Sequence, residues 1–113
     1  MNQGVAAEAL AAKFLAARGL AIVGRNYRCR GGEIDIIARE GRTIVFVEVR
    51  MRRSRAFGGA AESITGAKRR RLRLAAEHYL ARLPKEPPCR FDAILLDALA
   101  DERIEWLRAI DID

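Results

Sequence analysis

Two runs rich in Ile and Val, Glu33 to Arg39 and Thr43 to Arg50, flank the short polar segment Glu40-Gly41-Arg42. β-branched residues suit extended backbone, and a glycine between two such runs marks a tight reversal, so the pattern predicts a β-hairpin. Both sides of each run are strongly apolar. A strand pair of that kind cannot leave one face in water and belongs to a sheet covered on both faces. The chain is therefore expected to fold as an α/β sandwich, with a central mixed sheet flanked by helices.

The covering helices are visible on either side of the hairpin. From Gln3 to Arg18, Val5, Ala9, Ala12 and Ala16 recur at helical spacing, and Leu10, Phe14 and Leu15 widen the apolar face. Gly19 is the expected stop. Leu20 to Val23 is a short apolar run, followed by Arg25-Asn26-Tyr27 as a strand end or loop. Arg52 to Ala61 reads as a polar loop. Thr65 caps a second helix over Gly66 to Arg82, which Pro84, Pro87 and Pro88 end. Phe91 to Asp97 is a further strand. Glu102 to Ile110 fits a final strand, although Trp106, Leu107 and Ile110 also fit a short helix. A length of 113 residues without linker or repeat suits one domain over residues 1–113.

Side chains alternate along a strand. Glu33 and Asp35 therefore share a face, as do Glu48 and Arg50. With Glu40 and Gly41 as a two-residue loop, Asp35 pairs with Phe46 and Glu33 with Glu48, and the four polar residues point to one side. Any even loop keeps them there. Acids facing one another among Ile34, Ile36, Val45, Val47 and Val49 repel, and partial burial raises the cost. Such a cluster needs a cation. Either Arg50 supplies it in a structural salt bridge, or a divalent metal does. Mg²⁺ is hard and commonly takes one or two carboxylates with water and substrate phosphate. A metal there could activate water in phosphodiester cleavage.

These residues carry a resemblance. Gly32-Glu33-Ile34-Asp35-Ile36-Ile37-Ala38 followed by Val45-Phe46-Val47-Glu48-Val49-Arg50 resembles the GEIDLIA…FVEVK pattern of the YraN family of uncharacterised, endonuclease-like bacterial proteins. Glu8, Gly19, Asn26-Tyr27-Arg28, Phe57-Gly58, Lys68 and Arg90-Phe91-Asp92 also look like that family. It is similar in turn to the PD-(D/E)XK nucleases, archaeal Holliday-junction resolvases in particular. The resemblance implies a restriction-endonuclease-like fold and a nuclease that uses Mg²⁺ or Mn²⁺. It implies Asp35 and Glu48 as main metal ligands, a backbone carbonyl from Val49, and Glu8 as a helix-borne acid joining the site. Glu33 belongs to the same signature. Arg50 stands where the motif has a lysine. Its guanidinium cannot act as a base, yet it can hold a phosphate or stabilise developing charge. Lys68 is the alternative source of an ammonium.

Charge distribution points to a polyanion. Between Arg50 and Arg73 nine Lys/Arg stand against Glu62 alone, a local +8 within a net +6. Arg52, Arg53 and Arg55 suit phosphate contacts beside the site, and Lys68, Arg69 and Arg70 extend the basic set. Cys29 and Cys89 are expected as free thiols, because two distant cysteines and the single His78 do not make a zinc site. Gly59 to Lys68 lacks the adjacent Gly-Lys-Ser/Thr of a phosphate loop, which excludes nucleotide hydrolysis of that kind. His78 and Trp106 are expected in surface or packing roles, and Ser63 and Thr65 as caps. Met1-Asn2-Gln3-Gly4 has no signal-peptide character, and no apolar run approaches the roughly 20 residues of a span, so a cytoplasmic protein without membrane contact is expected. Three function classes follow: a Mg²⁺-dependent nuclease acting on structured or branched DNA, a non-catalytic nucleic-acid-binding protein, and a protein-interaction module with a structural acid cluster. A resolvase-like role would use two sites, hence a homodimer.

Overall fold

The two Ile/Val runs pair with each other, and the sheet extends outward from them. In the computed structural model, which describes residues 3–51, 65–97 and 103–112, the elements run α1 (Gln3–Ala17), β1 (Ala21–Cys29), β2 (Gly32–Glu40), β3 (Thr43–Met51), α2 (Gly66–Leu80), β4 (Cys89–Leu96) and β5 (Ile104–Leu107). The five strands lie in chain order in one sheet. All neighbours are antiparallel except β3 and β4, which are parallel. A parallel pair needs a crossover, and α2 lies within it.

One helix covers each face. Ala7, Ala11, Ala12, Phe14 and Leu15 of α1 pack with Ile36, Ala38, Val45, Val47, Ile94 and Leu96. Leu72, Ala75 and Ala76 of α2 pack with Ile34, Ile37, Ile44 and Phe46 on the other side. Fully burying each of the larger side chains is worth about 1.5–3 kcal/mol. The result is the expected α/β sandwich with a mixed sheet. Helix α1 closes on Gly19 at φ +95°, with Leu20 N–H donating to Leu15 O and Gly19 N–H to Ala16 O. That double bond pattern satisfies the last carbonyls and needs a left-handed residue, which glycine supplies. Thr65 caps α2, its hydroxyl accepting from Lys68 N–H. Among the described residues no helix is long and apolar enough to cross a membrane.

Helix α2 sits unusually close to β2. A Cβ placed on Gly32 would lie 2.7 Å from Ala75 N and 2.9 Å from Arg71 O, both backbone atoms. Only a residue without a side chain lets the helix rest there.

Two expectations change. Ala21 to Val23 and Arg25-Asn26-Tyr27 are not separate pieces but belong to one nine-residue strand, β1, which Leu20 immediately precedes. Its polar stretch had concealed it, and the strand accommodates a register shift between Ile22 and Gly24. The final segment, by contrast, contains the strand expected of it, β5, rather than the alternative short helix. The hairpin turns at Gly41-Arg42, not Glu40-Gly41, because Glu40 pairs with Thr43. Gly41 has φ +61°. A two-residue turn with glycine first asks for positive φ only at that glycine, whereas the other register would have required it of Glu40.

The C-terminal segment is tied to β4 through Asp92, which is fully buried. Its carboxylate accepts from Arg90 Nε at 3.0 Å, Trp106 Nε1 at 2.9 Å and Ala109 N–H at 2.9 Å. Arg90 also reaches Glu40 at 2.7 Å, and Arg108 reaches the same oxygen at 2.8 Å. These two guanidinium groups hold the Glu40 carboxyl below its usual range. Trp106 lies edge-on to Phe14, which gives it the packing role expected.

Three substitutions test this account. Gly32→Ala should cost about 1–3 kcal/mol by overpacking, read from the urea midpoint. Gly24→Ala, with nothing within 4 Å of the added carbon, should stay within about 0.5 kcal/mol. Asp92→Ala should cost about 3–5 kcal/mol, because it leaves Trp106 without its acceptor and Arg90 with Glu40 alone. Hydrogen exchange should then show early loss of protection in β5.

Candidate active site

The hairpin opens at its end away from the turn, and acids occupy the opening. Described pairing between β2 and β3 runs from Glu40↔Thr43 to Ile36↔Val47. One step further in that register Asp35 is level with Glu48, and Glu33 would come level with Arg50. The acids that meet are thus Asp35 and Glu48, in place of the expected Glu33 and Glu48. All four polar residues remain at one end of the hairpin.

The strand rolls over at Asp35. Ile36 packs on the α1 side, whereas Ile34 packs on the α2 side, although residues two apart in a regular strand share a face. In β1, Asn26 lies between the pairs Arg25↔Ile36 and Tyr27↔Ile34 and has φ +54°. Asparagine tolerates that left-handed conformation better than most residues. Where the ladder lapses, the Asp35 carboxylate fills in: its Oδ2 accepts from Val49 N–H at 2.8 Å.

This position is electrostatically costly. Burial, then the neighbouring Glu48 charge, push the Asp35 carboxyl up from 3.8 to about 7, against the pull of the Val49 N–H, and Glu8 and Glu33 add smaller repulsions. Glu8 acts from α1 and Glu33 from β2, so the four acids named from the sequence share one field. Glu48 is also raised, chiefly by burial, while Lys68 and Arg50 pull it down. Lys68 Nζ lies 3.5 Å from Glu48 Oε1. Arg50 Nε is buried and has no hydrogen-bond acceptor among the described residues.

Helix α2 brings its first turn over this end of the hairpin, so Glu33, Glu48, Lys68 and Arg71 line a small polar recess. Glu33 is bridged by Arg28 at 3.1 Å and by Arg71 at 3.5 Å. Lys68 joins the acids, as the sequence allowed. Arg70 is exposed, and the Cβ position of Gly66 is 3.6 Å from its guanidinium. Arg69, beside it, does not line the recess. Arg52, Arg53 and Arg55, together with Ser63 and Phe57-Gly58, lie outside the described residues. Sequence reasoning missed Arg71 and Arg28. The first was findable, since a helical residue three beyond Lys68 faces the same way.

Among the described residues no three His, Cys, Asp or Glu side chains already converge on one point. Asp35 and Glu48 nevertheless offer what Mg²⁺ takes: adjacent hard oxygen donors whose shared charge is unfavourable without a cation, with water and substrate oxygens left to complete the shell. Cys29 and Cys89 are free thiols.

Residues 7–96 match the model of the uncharacterised protein family UPF0102. A UPF0102 protein of Methylobacillus flagellatus is 57% identical over 102 residues, covering 90% of this chain and 89% of its own. Another, from Nitrosomonas europaea, is 55% identical over 107 residues, covering 95% and 91%. A third, from Nitrosospira multiformis, is 54% identical over 112 residues, covering 98% and 94%.

The raised Asp35 carboxyl sets a pH dependence. The folded chain holds the proton more tightly than the unfolded chain, so stability is lost as pH rises from 3.8 through about 7. Asp35→Asn should flatten that slope. At pH near 8 the variant should be more stable than wild type by about 2–4 kcal/mol, and near pH 4 by little. Thermal melts across that range check it.

Proposed function

The chain belongs to the uncharacterised protein family UPF0102, and from the geometry of its carboxylate site we propose that it is a metal-dependent, endonuclease-like phosphodiesterase acting on nucleic acid, structured or branched DNA in particular. One observation carries the reading. Asp35 and Glu48 are held side by side where the hairpin opens, against their mutual repulsion, with Lys68 at 3.5 Å from Glu48. A fold that maintains such a pair, with Glu48 lining a surface recess, keeps a place for an added cation. The resemblance to the YraN family and the PD-(D/E)XK nucleases assigns the same two residues to a metal.

Asp35 and Glu48 would hold Mg²⁺ or Mn²⁺, with Glu8 and Glu33 adding to the negative field. The ion, when bound, supplies Lewis-acid stabilisation and a more acidic water. The chain's own residues do the rest. Val49 N–H fixes the Asp35 carboxylate in direction. Lys68, on the first turn of α2, presents an ammonium to a phosphate oxygen entering the recess. Arg50 presents a half-buried guanidinium whose Nε is buried and has no acceptor among the described residues, a donor for charge that develops in cleavage. Arg28 and Arg71 engage Glu33 and keep positive charge at the rim. The arginine in place of the motif lysine favours a second reading, a nucleic-acid-binding protein without turnover. A cytoplasmic homodimer, one site for each strand of a branched substrate, suits the first.

Cleavage of labelled linear, single-stranded and four-way-junction DNA, with Mg²⁺ or Mn²⁺ and an EDTA control, decides between them. Metal-dependent cutting should fall at least about 100-fold in Asp35→Ala and in Glu48→Ala, since each removes one ligand of the ion that stabilises the transition state. DNA binding without cutting in the wild type would establish the second reading.

A further inference from the structure

Helix α2 places Lys68, Arg71, Ala75 and His78 at alternating three- and four-residue intervals, so they form one line along its flank. Ala75 is the residue that touches Gly32. Arg82 continues the line just beyond the capping residue Ala81. Tyr27 and Arg28 of β1 run alongside, and contacts stitch the seam. Glu33 joins Arg28 to Arg71. Tyr27 Oη lies 2.6 Å from His78 Nδ1, and Arg82 Nη1 donates to the same Oη at 3.3 Å. The Arg82 guanidinium also lies 5.7 Å from the Tyr27 ring and 5.9 Å from that of Tyr79.

The seam is cationic and its charges face water. Arg28 and Arg71 side chains are 70% and 54% exposed. A guanidinium carries five N–H donors, and each bridge to Glu33 occupies only part of that fork. Tyr27 Oη accepts from Arg82 and is hydrogen-bonded to His78 Nδ1, which holds the exposed imidazole on the seam. Glu77, the acid of α2, stands on the opposite flank, where it lines an approximately 410 Å³ groove with Arg73, Leu80 and Phe91. Among the described residues, negative charge on the seam itself is confined to Glu33 and, at its head, Glu48.

The geometry points to this seam as the track for one strand of DNA leaving the carboxylate site. Its phosphates lie on Lys68, Arg71 and Arg28 at the near end and on His78 and Arg82 at the far end. The assignment rests on the reading of the site as one that acts on nucleic acid. The ten helical steps from Lys68 to His78 span about 15 Å, which matches roughly four to five nucleotides of one strand. One row of cations fits one backbone.

Fluorescence anisotropy with dye-labelled single-stranded DNA, in EDTA and at low salt, tests the track. Arg28→Ala and Arg82→Ala should each weaken binding of an oligonucleotide of about twelve residues some 3–10-fold and reduce the salt slope by about one. Lys13→Ala, an equal loss of charge on exposed α1 at the other face of the sheet, should change neither. Arg82→Ala should cost less with an oligonucleotide of about four residues, too short to run the full seam. His78→Gln supplies a second far-end variant, and circular dichroism confirms folding of each. Unchanged affinity in Arg28→Ala and Arg82→Ala, or an equal loss in Lys13→Ala, overturns the track. If such a protein still cuts DNA, the nuclease reading stands without it. A wild type that binds no DNA at low salt overturns both, and tighter binding of RNA of the same sequence overturns the assignment to DNA.

Discussion

Helix α2 lies on β2 at Gly32 with no side chain between the two backbones, and the carboxylate site depends on that contact. Because the helix is so low, its first turn falls over the open end of the hairpin. Lys68 then reaches Glu48, and Arg71 reaches Glu33. A spacer of even one methyl group would lift the cations from the acids they face. The crossover from β3 to β4 sets where α2 runs, but the missing side chain sets its height.

The sheet holds a fully buried acid, Asp92, and a half-buried one, Asp35, and the contrast is informative. Asp92 is saturated: a guanidinium, an indole N–H and a backbone N–H converge on it. Everything around it stabilises the charge, and it serves to anchor the C-terminal segment. Asp35 receives one backbone N–H and faces three like charges. Buried charge is retained at low cost only when its partners are present. Asp35 lacks them within the described chain, and this imbalance distinguishes a site from a strut. Arg50 shows the complementary deficit, a buried Nε donor without an acceptor among the described residues.

Much of this was written in local patterns. Alternation in the Ile/Val runs gave the hairpin, but the expected single face for its four polar residues rested on a regular strand, which β2 is not at Asp35. Period and capping gave both helices, with Gly19 and Thr65 at the expected places. The register was also readable, since glycine first in a two-residue loop favours Gly41-Arg42, but parity alone does not separate it from Glu40-Gly41. The roll at Asp35 was not readable. It depends on Asn26 in a neighbouring strand, and nothing in either strand alone announces it. The Asp92 network was equally hidden, because Trp106 and Ala109 are brought to it only by the return of β5. Tyr27 and His78, 51 positions apart, meet for the same reason: tertiary contact, not sequence proximity, makes the pair.

The two margins of the sheet differ from its centre in one further respect. At one margin β5 has only four residues. At the other, β1 is interrupted by the shift at Ile22/Gly24 and by the left-handed Asn26, and it carries Arg25 and Arg28. Neither offers the long, straight row of free amides and carbonyls that recruits another strand. The interruption that lets Asp35 sit in the hairpin thus also protects the protein from edge-to-edge aggregation. Any pairing of two copies is left to the helical layers and loops.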